Sequence, residues 1–177
     1  ILINIGAIYD NLGKYPEALD NYTQALTIIK QIGDKSGEGT TLNNIGSVYD
    51  SLGQYFKALD NYTQALTVRE QAGDKAGIGV TLNNIGVIYN KLGQYSKALN
   101  KYTQALVIHE QIDDKVRVGL TLNNIGEVYR NWNKYTEALN NYNKALTICK
   151  QIGDTAGIGI TLNNIAEVYR ELGQYPK

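Results

Sequence analysis

Three residue types in this 177-residue chain have chemistry beyond packing: its single histidine, its single cysteine, and asparagine pairs that return at a fixed interval. His109 and Cys149 occupy one recurring position, which reads Ile29 and Arg69 earlier in the chain. A nucleophilic thiol needs a base beside it, and the residues around Cys149 supply none. A metal centre needs several ligands at the right spacing, and no such set is present. A position that drifts through Ile, Arg, His and Cys reads as a tolerant surface site near a helix end. Gly77-Ile78-Gly79 lacks the preceding strand and the third glycine of a phosphate-binding turn. Asn21-Tyr22-Thr23 and Asn61-Tyr62-Thr63 match a glycosylation acceptor, but they fall mid-helix and read as by-products of the repeat. No catalytic residue, metal or cofactor is expected.

The asparagines are a different case. Thr-Leu-Asn-Asn-Ile-Gly at 41–46 returns at 81–86 and 121–126, and at 161–166 with Ala166 closing it; a degenerate copy opens the chain. The interval is 40 residues each time. One row is Asn4, Asn44, Asn84, Asn124 and Asn164; a second is Asn43, Asn83, Asn123 and Asn163, with Ile3 in its first place. An amide offers both a donor and an acceptor, which suits pairing with the main chain of an extended peptide. The alternative is that one row ties a helix to its neighbour or bridges loops.

A period of this size marks a solenoid whose units bury their apolar faces against each other. Apolar residues at 42, 45, 49 and 52 follow helical spacing. Asp74 reads as the cap of a helix running to about Leu92, ended by a left-handed Gly93. A second helix runs from about Tyr95 to Ile112. The other breaks are Gly13, Gly33, Gly53, Gly73, Gly153 and Gly173, with Asp113 and Asn133 as the non-glycine members. Pro16 fits the first turn of a second helix, and Pro176 repeats it. Glycines within the helices, Gly46, Gly77, Gly79, Gly157 and Gly159, imply close approach of neighbouring helices as compensation for their poor propensity. All 14 tyrosines fall at three repeat positions and read as framework.

Lys+Arg and Asp+Glu both number 17, so no general attraction to nucleic acid or an anionic membrane is expected. No stretch is long enough to span a membrane, and with one cysteine and no export signal a cytoplasmic setting is expected. The chain has no methionine and begins and stops within a repeat, so it reads as part of a longer protein. A final helix from about Asp154 to Leu172 would leave Leu162, Ile165, Tyr169 and Leu172 without a partner, which suggests end-to-end self-association.

Leu42, Ile45-Gly46, Tyr49, Gly53, Tyr55, Ala58, Tyr62 and Ala65-Leu66 together resemble the tetratricopeptide repeat. The resemblance covers the whole chain. Leu replaces the usual Trp, the closing Pro is lacking, and the period exceeds the family's common value of about 34. The long form is similar to repeats of kinesin light chains and Pins-type adaptors. It implies an all-α, right-handed superhelical solenoid of antiparallel helix pairs, with about four and a half repeats and nine helices. The units are 1–40, 41–80, 81–120, 121–160 and a partial 161–177 in a single array.

Advancing roughly 100° per residue from Leu42 puts Ile45, Gly46, Tyr49 and Leu52 on its side and Asn43, Ser47, Asp50 and Ser51 opposite, with Asn44 at the edge. In the resembling families the first helices line a concave groove, and matching asparagines contact the cargo peptide backbone. The resemblance therefore implies a scaffold that binds an extended or partly helical peptide. The alternative is a regulatory sensor segment that controls an effector outside this chain. One groove position reads Asp10, Asp50, Asn90, Arg130, Arg170, from acidic to basic along the array. Glu127 and Glu167 stand where they can pair with the two arginines. Thr40, Val80, Leu120 and Ile160 form another variable position, apolar within the polar arc, expected to pack against the preceding helix, with the floor of a small pocket as the alternative. Thr41 has no evident role.

Overall fold

The computed structural model describes residues 1–173; Tyr175 and Pro176 lie outside the described residues. Among these there are nine α-helices and no strand. They are α1 (Leu2–Asn11), α2 (Tyr15–Ile32), α3 (Lys35–Ser51), α4 (Tyr55–Ala72), α5 (Lys75–Lys91), α6 (Tyr95–Gln111), α7 (Lys115–Asn131), α8 (Tyr135–Ile152) and α9 (Thr155–Glu171). The helix that the sequence starts at Asp74 and the one it starts at Tyr95 both appear within a residue or so of those limits.

Every expected break is present. Gly53 has φ of 68°, and the backbone closes around it in two bonds: Gly53 N–H donates to Asp50 C=O at 2.9 Å and Gln54 N–H to Tyr49 C=O at 2.8 Å. This pairing satisfies two carbonyls that the end of α3 would otherwise leave open. Asp113 and Asn133 adopt the same left-handed turn with φ of 54° and 59°. At the other end, the Asp74 carboxylate accepts from Gly77 N–H at 2.9 Å, and Asp34, Asp114 and Asp154 do the same for α3, α7 and α9. The second helices start without a side-chain cap, and at α2 Pro16 lies in the first turn, where a missing N–H costs nothing.

The chain forms two compact units, Ile1–Ile88 and Tyr89 onward. In the first, α2 lies between α1 and α3. Ala18 and Tyr22 of α2 meet Ile45 and Val48 of α3, with Ile3 and Tyr9 of α1 packed on the cluster. Leu42 of α3 packs with Ala65 and Val68 of α4. The second unit repeats the scheme. Val118 and Leu122 of α7 meet Ala145 of α8, and Ala138 and Tyr142 of α8 meet Val168 of α9.

The glycine in mid first helix is what lets the tyrosine in. A Cβ on Gly46 would stand 2.7 Å from Tyr62 Cδ1, and Gly6 against Tyr22 and Gly126 against Tyr142 are equally tight. Close approach therefore explains Gly46. It does not explain Gly159, where a Cβ would meet nothing within 4 Å. At Gly77 and Gly157 the crowding comes chiefly from the capping carboxylates of Asp74 and Asp154 and from the Arg69 and Cys149 side chains, rather than from a helix backbone.

Two surface assignments need correction. His109 is 1% exposed, and Ile29, Arg69 and Cys149 at the same position are also buried. The position is an interior niche closed by the start of the next helix, where the neighbour is glycine at 37, 77 and 157 and arginine at 117. Conversely, Leu120 and Ile160 are 46% and 53% exposed, because their direction lies within the polar arc and meets no neighbouring helix. On α9, Leu162 is 49% exposed where its counterpart Leu42 is 2%, since Leu42 is covered by the following α4.

Two predictions follow from this packing. Gly46→Ala should lower unfolding stability by about 1–3 kcal/mol in urea titration, because the Tyr62 ring must shift; Gly159→Ala should be neutral or raise it by up to about 1 kcal/mol. Burial lowers the His109 pKa below its ordinary 6.5; Asp114 opposes the shift and Arg117 adds to it. The unfolded chain therefore takes the proton first, and stability should fall as pH drops below about 6.5. His109→Ile, the residue of the first repeat, should flatten the dependence between pH 7 and 5 in the same titration.

Candidate functional site

The two asparagine rows are joined to each other across successive first helices. Asn84 of α5 donates its amide to Asn43 Oδ1 of α3 at 3.1 Å. In the second unit, Asn164 of α9 donates to Asn123 Oδ1 of α7 at 3.5 Å. Asn83 and Asn124 are not free either. The rows therefore tie neighbours together, as the alternative reading of the asparagines held, while both stay on the first-helix face. Asn43, Asn44, Asn83, Asn84, Asn124 and Asn164 are half-buried, Asn4 and Asn163 are exposed, and Asn123 is buried. A half-buried amide held by one bond keeps further donor or acceptor capacity for a ligand.

The threonine that opens each motif is the residue whose part sequence reasoning missed. Thr41, Thr81, Thr121 and Thr161 are all fully or almost fully buried. Thr41 donates to Gly37 C=O at 2.8 Å and Thr161 to Gly157 C=O at 2.7 Å. Thr81 is wired differently. Arg69 donates to both Gly77 C=O at 2.6 Å and Thr81 Oγ1 at 3.2 Å, and Thr81 donates to Asn43 Oδ1 at 3.5 Å. In the second unit Asn123 instead donates its amide to Thr161 Oγ1 at 2.8 Å. The signal available in the sequence was the unbroken recurrence of a small hydroxyl residue beside the asparagines.

The charged row sits over the framework tyrosines. Burial, then the charge of Asp50, raises the Tyr62 phenol well above its usual range, and Ser47 hydrogen-bonds to it. Tyr22 is raised by burial and Asp10 in the same way, and burial also raises the Asp10 carboxyl. Asn90 is buried and accepts from Asn131 at 3.2 Å. Arg130 lies 3.8 Å from Glu171 of the following first helix, while Arg170 pairs with Glu167 on its own helix. The row is thus acidic in the first unit, and in the second its two arginines are already paired. Among the described residues no cluster of His, Cys, Asp and Glu has the arrangement of a metal site. No helix among them is long and apolar enough to cross a membrane.

No curated protein sequence matches the chain. Solved structures do. BtubC (BKLC) from P. vanneervenii superposes with a TM-score of 0.85 at 22% identity, covering 96% of this chain and 71% of that one. A kinesin light chain of Podosopora anserina with nearly identical TPR-like repeats gives 0.78 at 13%, covering 97% and 85%. NprR in complex with its cognate peptide NprX gives 0.75 at 25%, covering 98% of this chain and 50% of NprR. The tetratricopeptide repeat family model matches residues 1–71, 39–111, 77–151 and 117–177, which leave no part of the sequence uncovered. Helix pairs, glycine turns and the tyrosine-on-glycine contact all accord with that match, and the chain belongs to the tetratricopeptide repeat family.

Proposed function

We propose that this chain is a protein-interaction scaffold whose first-helix face holds an extended or partly helical peptide. The observation that carries the reading is found in each unit separately: amides of neighbouring first helices ordered by the bond from Asn84 to Asn43 in the first and from Asn164 to Asn123 in the second. Ordered amides at successive helices present donors and acceptors to a peptide main chain at little further entropic cost. Beside them stand the exposed apolar side chains of Leu120 and Ile160, suited to receive apolar side chains of a ligand. Asp10 and Asp50 offer negative charge in the first unit, whereas Arg130 and Arg170 in the second reach a ligand only in competition with Glu171 and Glu167. NprR, of similar fold, is seen with its cognate peptide, and the same use of the fold is inferred for this chain. Asn4, Asn44 and Asn163 complete the candidate set with Asn83, Asn90 and Asn124.

The test is a peptide array followed by calorimetric titration of its strongest binder. Replacing Asn84 and Asn124 together by alanine should weaken binding by roughly tenfold, the value of a hydrogen bond or two. Their loss should lower Tm by no more than about 4 °C per bond. Unchanged affinity with a much larger drop in Tm would assign both side chains to architecture alone.

A further inference from the structure

The asparagines of the inner row do not all point the same way, and the difference tracks a residue buried beneath them. In the first unit Asn43 turns its oxygen inward, accepting from Thr81 and Asn84. Neither of these bonds uses its Nδ2, and the residue is half-buried. In the second unit Asn123 turns its nitrogen inward, donating to Thr161 Oγ1 and to Gly119 C=O at 3.3 Å. Its oxygen accepts from Asn164, as that of Asn43 does from Asn84, and its remaining lone pair is what it can offer a ligand.

The cause lies one layer deeper. Where the buried residue is Cys149, its thiol hydrogen-bonds with Thr161 but leaves Gly157 C=O free, and the Thr161 hydroxyl donates to that carbonyl. Its oxygen lone pair then receives the Asn123 amide. Where the buried residue is Arg69, the guanidinium takes Gly77 C=O and also donates to Thr81 Oγ1. The Thr81 proton is displaced outward and needs an acceptor, which the Asn43 oxygen provides. A hydroxyl has one proton, so the direction of the first bond fixes the direction of the second. The apolar Ile29 behaves as Cys149 does at this step, since Thr41 donates to Gly37 C=O.

We infer that the residue at positions 69 and 149 is a buried polarity selector: arginine makes the asparagine above it a hydrogen-bond donor toward the open face, and cysteine makes it an acceptor. Resting on the peptide-binding reading above, this makes Arg69 and Cys149 positioning residues for specificity. A ligand main chain would set a carbonyl against Asn43 and an N–H against Asn123. Variation in a buried niche would thereby change what the surface recognises without changing a surface residue.

The niche around Cys149 has the same kinds of border as that around Arg69. Gly119 and Gly157 border Cys149 as Gly39 and Gly77 border Arg69, and Asp154 takes the place of Asp74. The test uses the intact chain, 15N-labelled, and reads solvent exchange of asparagine side-chain amides by NMR, with no ligand present. In the wild type the Asn43 amide should exchange roughly tenfold faster than that of Asn123, as expected for a free against a bonded N–H. Cys149→Arg should speed Asn123 exchange, and Arg69→Cys should slow that of Asn43. Equal exchange at the two sites in the wild type, or rates indifferent to the substitutions in variants that melt normally, would overturn the inference. If neither variant folds, the wild-type comparison decides. Failure of every arrayed peptide to bind would defeat the peptide reading while leaving this result standing.

Discussion

The contact on which the structure depends is a tyrosine ring lying against a glycine. Tyr62 on Gly46, with its equivalents Tyr22 on Gly6 and Tyr142 on Gly126, brings a second helix against the first helix of its own pair at a distance no side chain would permit. The ring is buried on both sides, because the same tyrosines pack against the next first helix: Tyr22 meets Val48, and Tyr142 meets Val168. One side chain therefore sets two spacings, within a pair and between pairs. A mid-helix glycine costs about 1 kcal/mol relative to alanine, and the buried aromatic ring is worth more than that. Once these spacings are set, the first helices stand close enough for Asn84 to reach Asn43 and for Asn164 to reach Asn123.

Beneath the asparagines a second layer varies from repeat to repeat. Ile29, Arg69, His109 and Cys149 fill one niche behind the capping aspartates. The four residues share neither size nor charge, and the niche adapts through its neighbours. Gly77 and Gly157 leave room beside Arg69 and Cys149, whereas Arg117, beside His109, instead pairs with its own cap Asp114. The threonine row lies between this niche and the open face, so differences below can reach the amides above.

Much of this fold was legible because it repeats. The interval of 40 residues, the apolar spacing and the turn residues were enough to place helices and breaks, Asp113 and Asn133 included. The polar arc of the first helix was legible for the same reason, since a helical wheel needs only the rise and turn of one helix. What the sequence hid depends on a third partner. Nothing in a helical wheel shows that position 109 is roofed by the start of the following helix, or that position 120 is not. The buried threonines were hidden because their partners are backbone carbonyls and side chains 38 residues away, as with Thr161 and Asn123. The pairing of the two asparagine rows spans 41 residues, one full period and one step, which sequence spacing alone cannot distinguish from two independent rows.

The central claim is that these ordered amides face a ligand. It is tested most directly by titrating the 15N-labelled chain with the strongest peptide from an array and following every backbone and asparagine side-chain amide. The account requires the largest shifts on α3, α5, α7 and α9, at the asparagines and beside Leu120 and Ile160, with the second helices nearly silent. Shifts concentrated on α4, α6 and α8, around the exposed Gln64, Gln104 and Asn143, would contradict it.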